Sequence, residues 1–349
     1  MEYRVLGQTG LRISPIALGT SNFGEPTPEK ESAKMIDRAL DEGVNLLDTG
    51  NIYAGGEGER IIGRALKANG RRNEVLISTK IFLGPFDEQS GLKQAGSQFK
   101  PGEDPNELGL SRLSIVKSCD ACLKRLQVDH IDLFQTHRPD ASIPIDETLS
   151  AYDDLIRAGK VRYVGSSTHP AWRVMESIMV SEMKGYARYV SEQAPYNLLD
   201  RRIENELIPL CKSHGLGIIA WGPIAMGILA GRYTDASKYP KGSRADLYPG
   251  YYSDRVTERG IATAVEFDKI AKNVGISPAQ LSVLWCKDQP GITAPLMGPR
   301  TVEQLEEFLP VLDMTLDDDT RAACDELVPP GSAVANFHNT APWMKATIT

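Results

Sequence analysis

The chain has no run of about 18 apolar residues, so no membrane-spanning helix is expected. It also lacks an apolar start: it opens Met1-Glu2-Tyr3-Arg4-Val5, which reads as no secretory signal and points to the cytoplasm. Cysteine is scarce, odd in number and irregularly placed (Cys119, Cys122, Cys211, Cys286, Cys324), which fits reduced thiols better than a disulfide framework. Cys119 and Cys122 have redox spacing, but they fall in a helical pattern with Leu113, Val116, Leu123 and Leu126 and read as small buried groups. His130, His169, His214 and His338 show no ligand spacing, so no metal site is expected. A surplus of positive charge is missing as well. The net charge is −7, which gives no general reason to expect nucleic-acid or anionic-membrane partners. Finally, no G-x-G-x-x-G joins a strand to a helix; Gly55-Gly56-Glu57-Gly58 is the nearest approach and has the wrong context, which argues against a Rossmann domain.

What is present is a steady alternation. After a hairpin pattern (residues 3–6, a turn at 7–10, residues 11–14), short apolar runs at 16–18, 45–47, 75–79, 131–135, 161–165, 188–192, 217–220 and 293–297 read as strands. Amphipathic helical patterns separate them. One has Thr27 as N-cap, Pro28 at the first helical position, Met35, Ile36, Ala39 and Leu40 on one face, and Gly43 as terminator. Another carries Ile145, Leu149, Tyr152, Leu155 and Ile156. The acidic run Asp317-Asp318-Asp319 reads as a helix start. Eight strands alternating with helices imply an α/β fold, a (β/α)8 TIM barrel with an N-terminal β-hairpin and long loops on its C-terminal face. The expected organisation is one domain over 1–349: hairpin 1–15, barrel 16–310, C-terminal helix and tail 311–349. Three stretches break the rhythm: 82–109, 234–254 with Tyr239, Tyr248, Tyr251 and Tyr252, and the tail from 329 with Phe337, His338 and Trp343. Loops this long are candidates for substrate-binding lids, and their aromatics favour a bulky or partly apolar substrate.

The ends of the expected strands carry polar residues. Asp48 ends the second, Lys80 the third, His137 follows the fourth, Ser166 and Ser167 the fifth, Gln193 the sixth and Trp221 the seventh. An ammonium at the mouth of a buried strand needs a partner, and Asp48 suits. Lys80 beside Tyr53 would favour tyrosinate and lower its pKa. His137 could donate to a substrate carbonyl, and Tyr53 could exchange a proton with an oxygen becoming an alkoxide. That is half of a carbonyl–alcohol interconversion; the other half needs a hydride, hence a nicotinamide. Trp221 offers a face for its ring and Gln193 an amide for its carboxamide. Gly298-Pro299-Arg300-Thr301, opening a helix, suits phosphates, with Arg300 on a ribose 2′-phosphate.

Leu18-Gly19-Thr20, Leu47-Asp48-Thr49, Tyr53, Ser78-Thr79-Lys80, Asp132-Leu133, His137, Gly165-Ser166, Gln193, Trp221-Gly222-Pro223-Ile224, Gly298-Pro299-Arg300 and Gln304-Leu305 together resemble the aldo-keto reductase family over nearly the whole length. The resemblance implies a barrel holding extended NADP(H), preferred over NAD(H), and a small carbonyl or alcohol substrate. It implies Tyr53 as general acid/base, Lys80 and Asp48 tuning it, and His137 orienting the carbonyl. It places Asp48, Ser166 and Gln193 near the nicotinamide ribose and carboxamide, Trp221 on the ring, and Gly222, Pro223 and Ile224 along the pyrophosphate. Arg300 and Gln304 would meet the 2′-phosphate and Glu307 the adenosine, with Arg232 and Arg244 as further phosphate candidates; the set also takes in Gly19, Thr20, Ser21, Ser167, Ala225 and Gly298. The chain departs from the family where Ser167 replaces a frequent asparagine, and where Glu307-Phe308 replaces a Glu-Asn pair that contacts adenine. Two rival readings remain: a Schiff-base aldolase using Lys80, and an NADPH-binding regulatory subunit resembling ion-channel accessory proteins, which carry asparagine in the place of His137. Substrate identity, direction and self-association stay open.

Overall fold

The barrel strands follow one another around a closed ring in the computed structural model, which describes residues 1–82, 104, 106–249 and 252–337. They are β3 (Ala17–Gly19), β4 (Leu46–Asp48), β5 (Leu76–Ile81), β6 (Ile131–Thr136), β7 (Val161–Ser167), β8 (Ser191–Pro195), β9 (Gly217–Trp221) and β10 (Ala294–Met297), with β10 pairing back onto β3. All pairings are parallel, and a short antiparallel hairpin, β1 (Arg4–Val5) with β2 (Arg12–Ile13), precedes them. Each expected run became a strand. The sixth lies three residues later than expected, because pairing with β9 begins only where Ser191 meets Gly217. Polar Glu192 and Gln193 inside a fully buried strand hid it from an apolar pattern.

Helices α1 (Glu29–Asp41), α2 (Glu57–Asn69), α3 (Arg112–Leu126), α4 (Ile145–Arg157), α5 (Ala171–Lys184) and α6 (Leu207–His214) cover the outside. The connection from β9 to β10 holds α7 (Arg244–Leu247), α8 (Glu258–Asn273) and α9 (Pro278–Lys287), and α10 (Val302–Phe308) and α11 (Asp318–Leu327) follow β10. In α1, Met35, Ile36, Ala39 and Leu40 are the buried face, as the 3.6-residue period requires. Its cap differs from the expectation: Pro28 holds the N-cap position, and Thr27 turns its hydroxyl to the Arg300 carbonyl at 2.9 Å, tying α1 to the loop after β10. Asp317 does cap α11, accepting from the Thr320 amide at 2.7 Å.

Two apolar layers result. Inside the barrel, Ala17, Leu46, Leu133, Ile219, Ala294 and Leu296 fill the lumen, and Leu6 and Ile13 of the hairpin seal its floor. Gly217 permits that seal, since a Cβ there would lie 2.5 Å from Leu6. The larger layer joins strands to helices and takes in all five cysteines, which are buried and free. With the floor closed, the cleft opens at the C-terminal rim, where barrels keep their active sites. The expected loop at 82–109 falls largely outside the described residues, as do Tyr251, His338 and Trp343.

One group in the outer layer is out of place for a core. Glu192 is fully buried between β8 and the helices, accepting from Ser166 Oγ at 2.5 Å and from the His169 amide at 3.0 Å. Burial pushes its pKa up to about 8, against the opposing pull of the Ser166 hydroxyl. The folded state therefore holds this proton more tightly than the unfolded chain. Its stabilising contribution is complete below the ordinary value of 4.5 and is lost as pH rises through about 8. Between about pH 5 and about pH 8.5, Glu192→Gln should gain about 1–3 kcal/mol on the wild type in urea unfolding; parallel pH profiles for the two proteins would refute the assignment.

Candidate active site

The rim is built around a buried ion pair. Lys80, on β5, has no exposure and donates to Asp48 Oδ1 and to the Thr49 carbonyl, each at 2.5 Å. The other Asp48 oxygen accepts from Ser78 at 2.8 Å, Gln193 at 2.8 Å and Gln135 at 3.4 Å. Thr20 adds its hydroxyl and its amide to the Asp48 carbonyl, both at 2.9 Å. Strand register explains the convergence: Asp48 sits beside Gly19 and Ser78, and Lys80 beside Gln135. Lys80 itself is not on the cleft wall.

Tyr53 follows on a tight turn in which Ala54 (φ 48°), Gly55 (61°) and Gly56 (86°) are all left-handed. Gly56 must lack a side chain, because a Cβ would lie 2.8 Å from Arg125. That arginine and Thr79 both bond the buried Glu59, at 2.5 and 2.6 Å, pinning the start of α2 to β5 and α3. Tyr53 thus faces the cleft with its ring edge-on to His137, centroids 5.7 Å apart, and with Lys80 Nζ 5.4 Å from its own centroid. Burial raises the Tyr53 pKa, and Asp48 and Tyr252 add to the shift; Arg138 and Arg244 oppose it. The expected lowering by Lys80 does not occur, because burial of the phenol dominates and the nearby Asp48 carboxylate adds to the rise. The phenol is neutral. Burial, with help from Lys80 and Arg138, also holds His137 well below its usual value, so the imidazole is neutral. Its Nδ1 is buried with no hydrogen-bond partner among the described residues.

From these residues a cleft of about 1250 Å³ runs to α10, larger than the ~300–1,000 Å³ of ordinary ligand pockets. Its wall includes Gly19, Thr20, Ser21, Gln193, Trp221, Gly222, Pro223, Ile224, Gly298, Gln304 and Glu307, all expected there. Arg232, Arg244 and Arg300 also line it; burial and the charges of Arg244 and Arg232 lower the Arg300 pKa. Arg300 donates to the Gly242 carbonyl, and Arg244 reaches across the mouth to Ser21 at 2.8 Å and Asn22 at 2.9 Å. Glu307 accepts from Ser277 at 2.6 Å, and Phe308 lines the wall beside it.

Two expected residues are elsewhere. Side chains alternate along β7, so Ser167 faces the cleft while Ser166 points outward to Glu192. Ala225 is fully buried behind the wall. Several wall or network residues were not expected: Gln135, buried within an apolar-looking run; Asn22, which donates to the Gly298 carbonyl at 3.0 Å; and Arg138 and Arg255. Arg255 lies 5.5 Å from the Trp221 ring, 5.2 Å from Tyr252 and 5.4 Å from Phe337, a contact set that only the folded tail assembles. For Arg138 a signal existed, since it directly follows His137.

A model of the aldo/keto reductase family matches residues 15–329. The chain is 36% identical over 336 residues to the uncharacterized oxidoreductase YrpG of Bacillus subtilis (strain 168), covering 94% of this chain and 96% of that protein. It is 33% identical over 319 residues to a probable voltage-gated potassium channel subunit beta of Oryza sativa subsp. japonica, covering 90% and 92%. To the versiconal hemiacetal acetate reductase of Aspergillus parasiticus it is 32% identical over 325 residues, covering 90% and 94%. A closed eight-stranded barrel with this rim, matched to the family model across most of its length, belongs to the aldo/keto reductase family of oxidoreductases.

Proposed function

We propose that this protein is an NADP(H)-dependent oxidoreductase that interconverts an aldehyde or ketone with its alcohol, with Tyr53 as general acid/base. The observation that carries the reading is the placement of a neutral Tyr53 and a neutral His137 side by side on a cleft wall, above the Asp48–Lys80 pair and in one cleft with Trp221. The residues suit the cofactor. Trp221 presents an aromatic face, Ser167 and Gln193 offer polar groups on the same wall, and the repulsion of Arg244 and Arg232 on Arg300 would be relieved by a phosphate-rich anion.

When bound, the nicotinamide supplies a hydride to the carbonyl carbon. His137, with Nδ1 left as a lone pair in the dry interior, carries its proton on Nε2 and donates it as a hydrogen bond to the carbonyl oxygen, fixing the angle of the substrate. As the carbonyl π bond breaks, Tyr53 passes its proton to that oxygen, giving the alcohol and a tyrosinate whose charge Arg138 and Arg244 offset. Solvent entering the cleft returns the proton, and oxidation runs the same steps backwards. Lys80 and Asp48 hold the rim that positions Tyr53.

The Schiff-base alternative finds no support, because Lys80 is bound to Asp48 and Thr49 and does not line the cleft. The regulatory alternative, to which the similarity with a probable channel subunit lends weight, makes Tyr53 dispensable. Turnover decides between them. Tyr53→Phe should lose about 10²–10⁴ in kcat while NADPH affinity stays within about threefold; near-wild-type turnover on every carbonyl tried would remove the mechanism. His137→Asn should slow turnover and change selectivity between carbonyl substrates, measured as ratios of kcat/KM; unchanged ratios would exclude the orienting role. Arg300→Ala should weaken NADPH binding by about 10–100-fold in fluorescence titration with little change for NADH, whereas equal effects on both would show that Arg300 does not read a 2′-phosphate.

A further inference from the structure

No step of the proposed reaction uses Glu192, a carboxyl with no exposure on a strand buried along its whole length. A leucine of similar size would fill that space without the desolvation an acid suffers. What the acid adds is two oxygens aimed at one turn. β7 ends at Ser167, and the chain then bends at Thr168, whose φ of 59° is left-handed. A β-branched residue adopts that conformation only under constraint from its surroundings. Glu192 brackets the bend: Oε2 accepts from Ser166 Oγ at 2.5 Å before it, and Oε1 from the His169 amide at 3.0 Å after it. The two residues between the clamped ends both serve the cleft. Ser167 lines its wall, and Thr168 Oγ1 accepts from Arg138 Nη1 at 2.6 Å.

We propose that Glu192 is a positioning residue for the cofactor cleft. By holding both ends of the turn 166–169 from behind the barrel wall, it fixes Ser167 and the Thr168–Arg138 contact, and through them the fit of the nicotinamide end of a dinucleotide. The inference rests on the NADP(H) reading of the cleft and adds to it a residue that does not line that cleft.

The other bonds of the turn lean on the same strand. Ser167 Oγ and the Thr168 amide both donate to the Gln193 carbonyl at 2.9 Å. Burial lowers the His169 pKa to about 4, so its neutral ring donates from Nδ1 to the Ser167 carbonyl at 3.0 Å. Gln193 faces the cleft and donates to Asp48 at 2.8 Å, so the neighbours Glu192 and Gln193 serve the outer and inner faces of one strand. A carboxyl kept protonated by burial suits the clamp, with its carbonyl oxygen on the His169 amide and its hydroxyl end at Ser166. Backbone strain of the kind seen at Thr168 persists only where the surroundings over-determine it. Without the carboxyl, the Ser166 hydroxyl and the His169 amide lose their buried partner, and the turn is free to relax. Ser167 and the Arg138 anchor would shift with it. Arg138 lowers the proton affinity of both Tyr53 and His137, so its placement matters to the reacting groups as well.

The test is a binding comparison on the full chain, by calorimetry, of NADPH against adenosine 2′,5′-bisphosphate, which carries phosphates and adenosine but no nicotinamide. Glu192→Ala should weaken NADPH by about tenfold and the bisphosphate by less than about twofold. Glu192→Gln keeps an acceptor for the amide and a donor for Ser166, and should return NADPH affinity to within about threefold of wild type. Ser166→Ala removes one end of the clamp and leaves the carboxyl; it should weaken NADPH by about threefold, and it decides the matter if Glu192→Ala does not fold. Unaltered NADPH affinity in the alanine variants, an equal loss of both ligands, or a Glu192→Gln variant as weak as Glu192→Ala overturns the inference and leaves the NADP(H) reading standing. Failure of wild type to bind either ligand removes that reading and the inference with it. Turnover plays no part, so failure of the Tyr53 mechanism would leave the comparison intact.

Discussion

An ammonium group with no exposure to water is expensive, and the rim of this barrel is arranged to meet that cost. Burial lowers the Lys80 pKa and the Asp48 carboxylate at 2.5 Å opposes that shift, while Asp48 is in turn satisfied by Ser78, Gln193 and Gln135. Removing either charged partner would leave the other buried and unmatched. The network draws on β4, β5, β6 and β8, so the pair also fixes how the strands meet at the mouth. Tyr53, one turn beyond Asp48, inherits its position from that junction and from the Glu59–Arg125 pair that pins α2.

The electrostatics at Tyr53 are those of a buried neutral phenol, with Asp48 and Tyr252 discouraging ionisation and Arg138 and Arg244 favouring it. In the proposed mechanism a protonated phenol beside a neutral imidazole donates its proton, and Arg138 and Arg244 offset the charge of the resulting tyrosinate. The cations therefore serve different ends. Lys80 is paired with Asp48, Arg232 and Arg244 act on Arg300, and Arg138 acts on both Tyr53 and His137.

Much of this was legible in the residues. Eight short apolar runs separated by amphipathic patterns define the barrel, and Asp48, Tyr53, Lys80 and His137 are recognisable by type and by their place at strand ends. The wall of the cleft was legible where motifs were contiguous, as in Trp221-Gly222-Pro223-Ile224. It was less so at Ser166 and Ser167, adjacent residues of one type whose roles differ because successive side chains point to opposite faces of a strand, and a slip of one residue exchanges cleft for core. Ala225 and Thr27 were misplaced for a related reason: what a loop residue faces depends on which distant segment passes it.

The sequence by itself determined the alternation, the strand count, the buried Asp48–Lys80 partnership and the family, since these depend on periodicity, on residue chemistry and on the cost of an unpaired charge. Tertiary structure alone decided the direction of the Tyr53 shift, the burial of Glu192 as a high-pKa carboxyl, the aromatic enclosure of Arg255 by a tail residue, and the strained Thr168 that anchors Arg138. Each of those depends on the distance between residues far apart in the chain and on how much water lies between them, and neither quantity is written in the local order of amino acids.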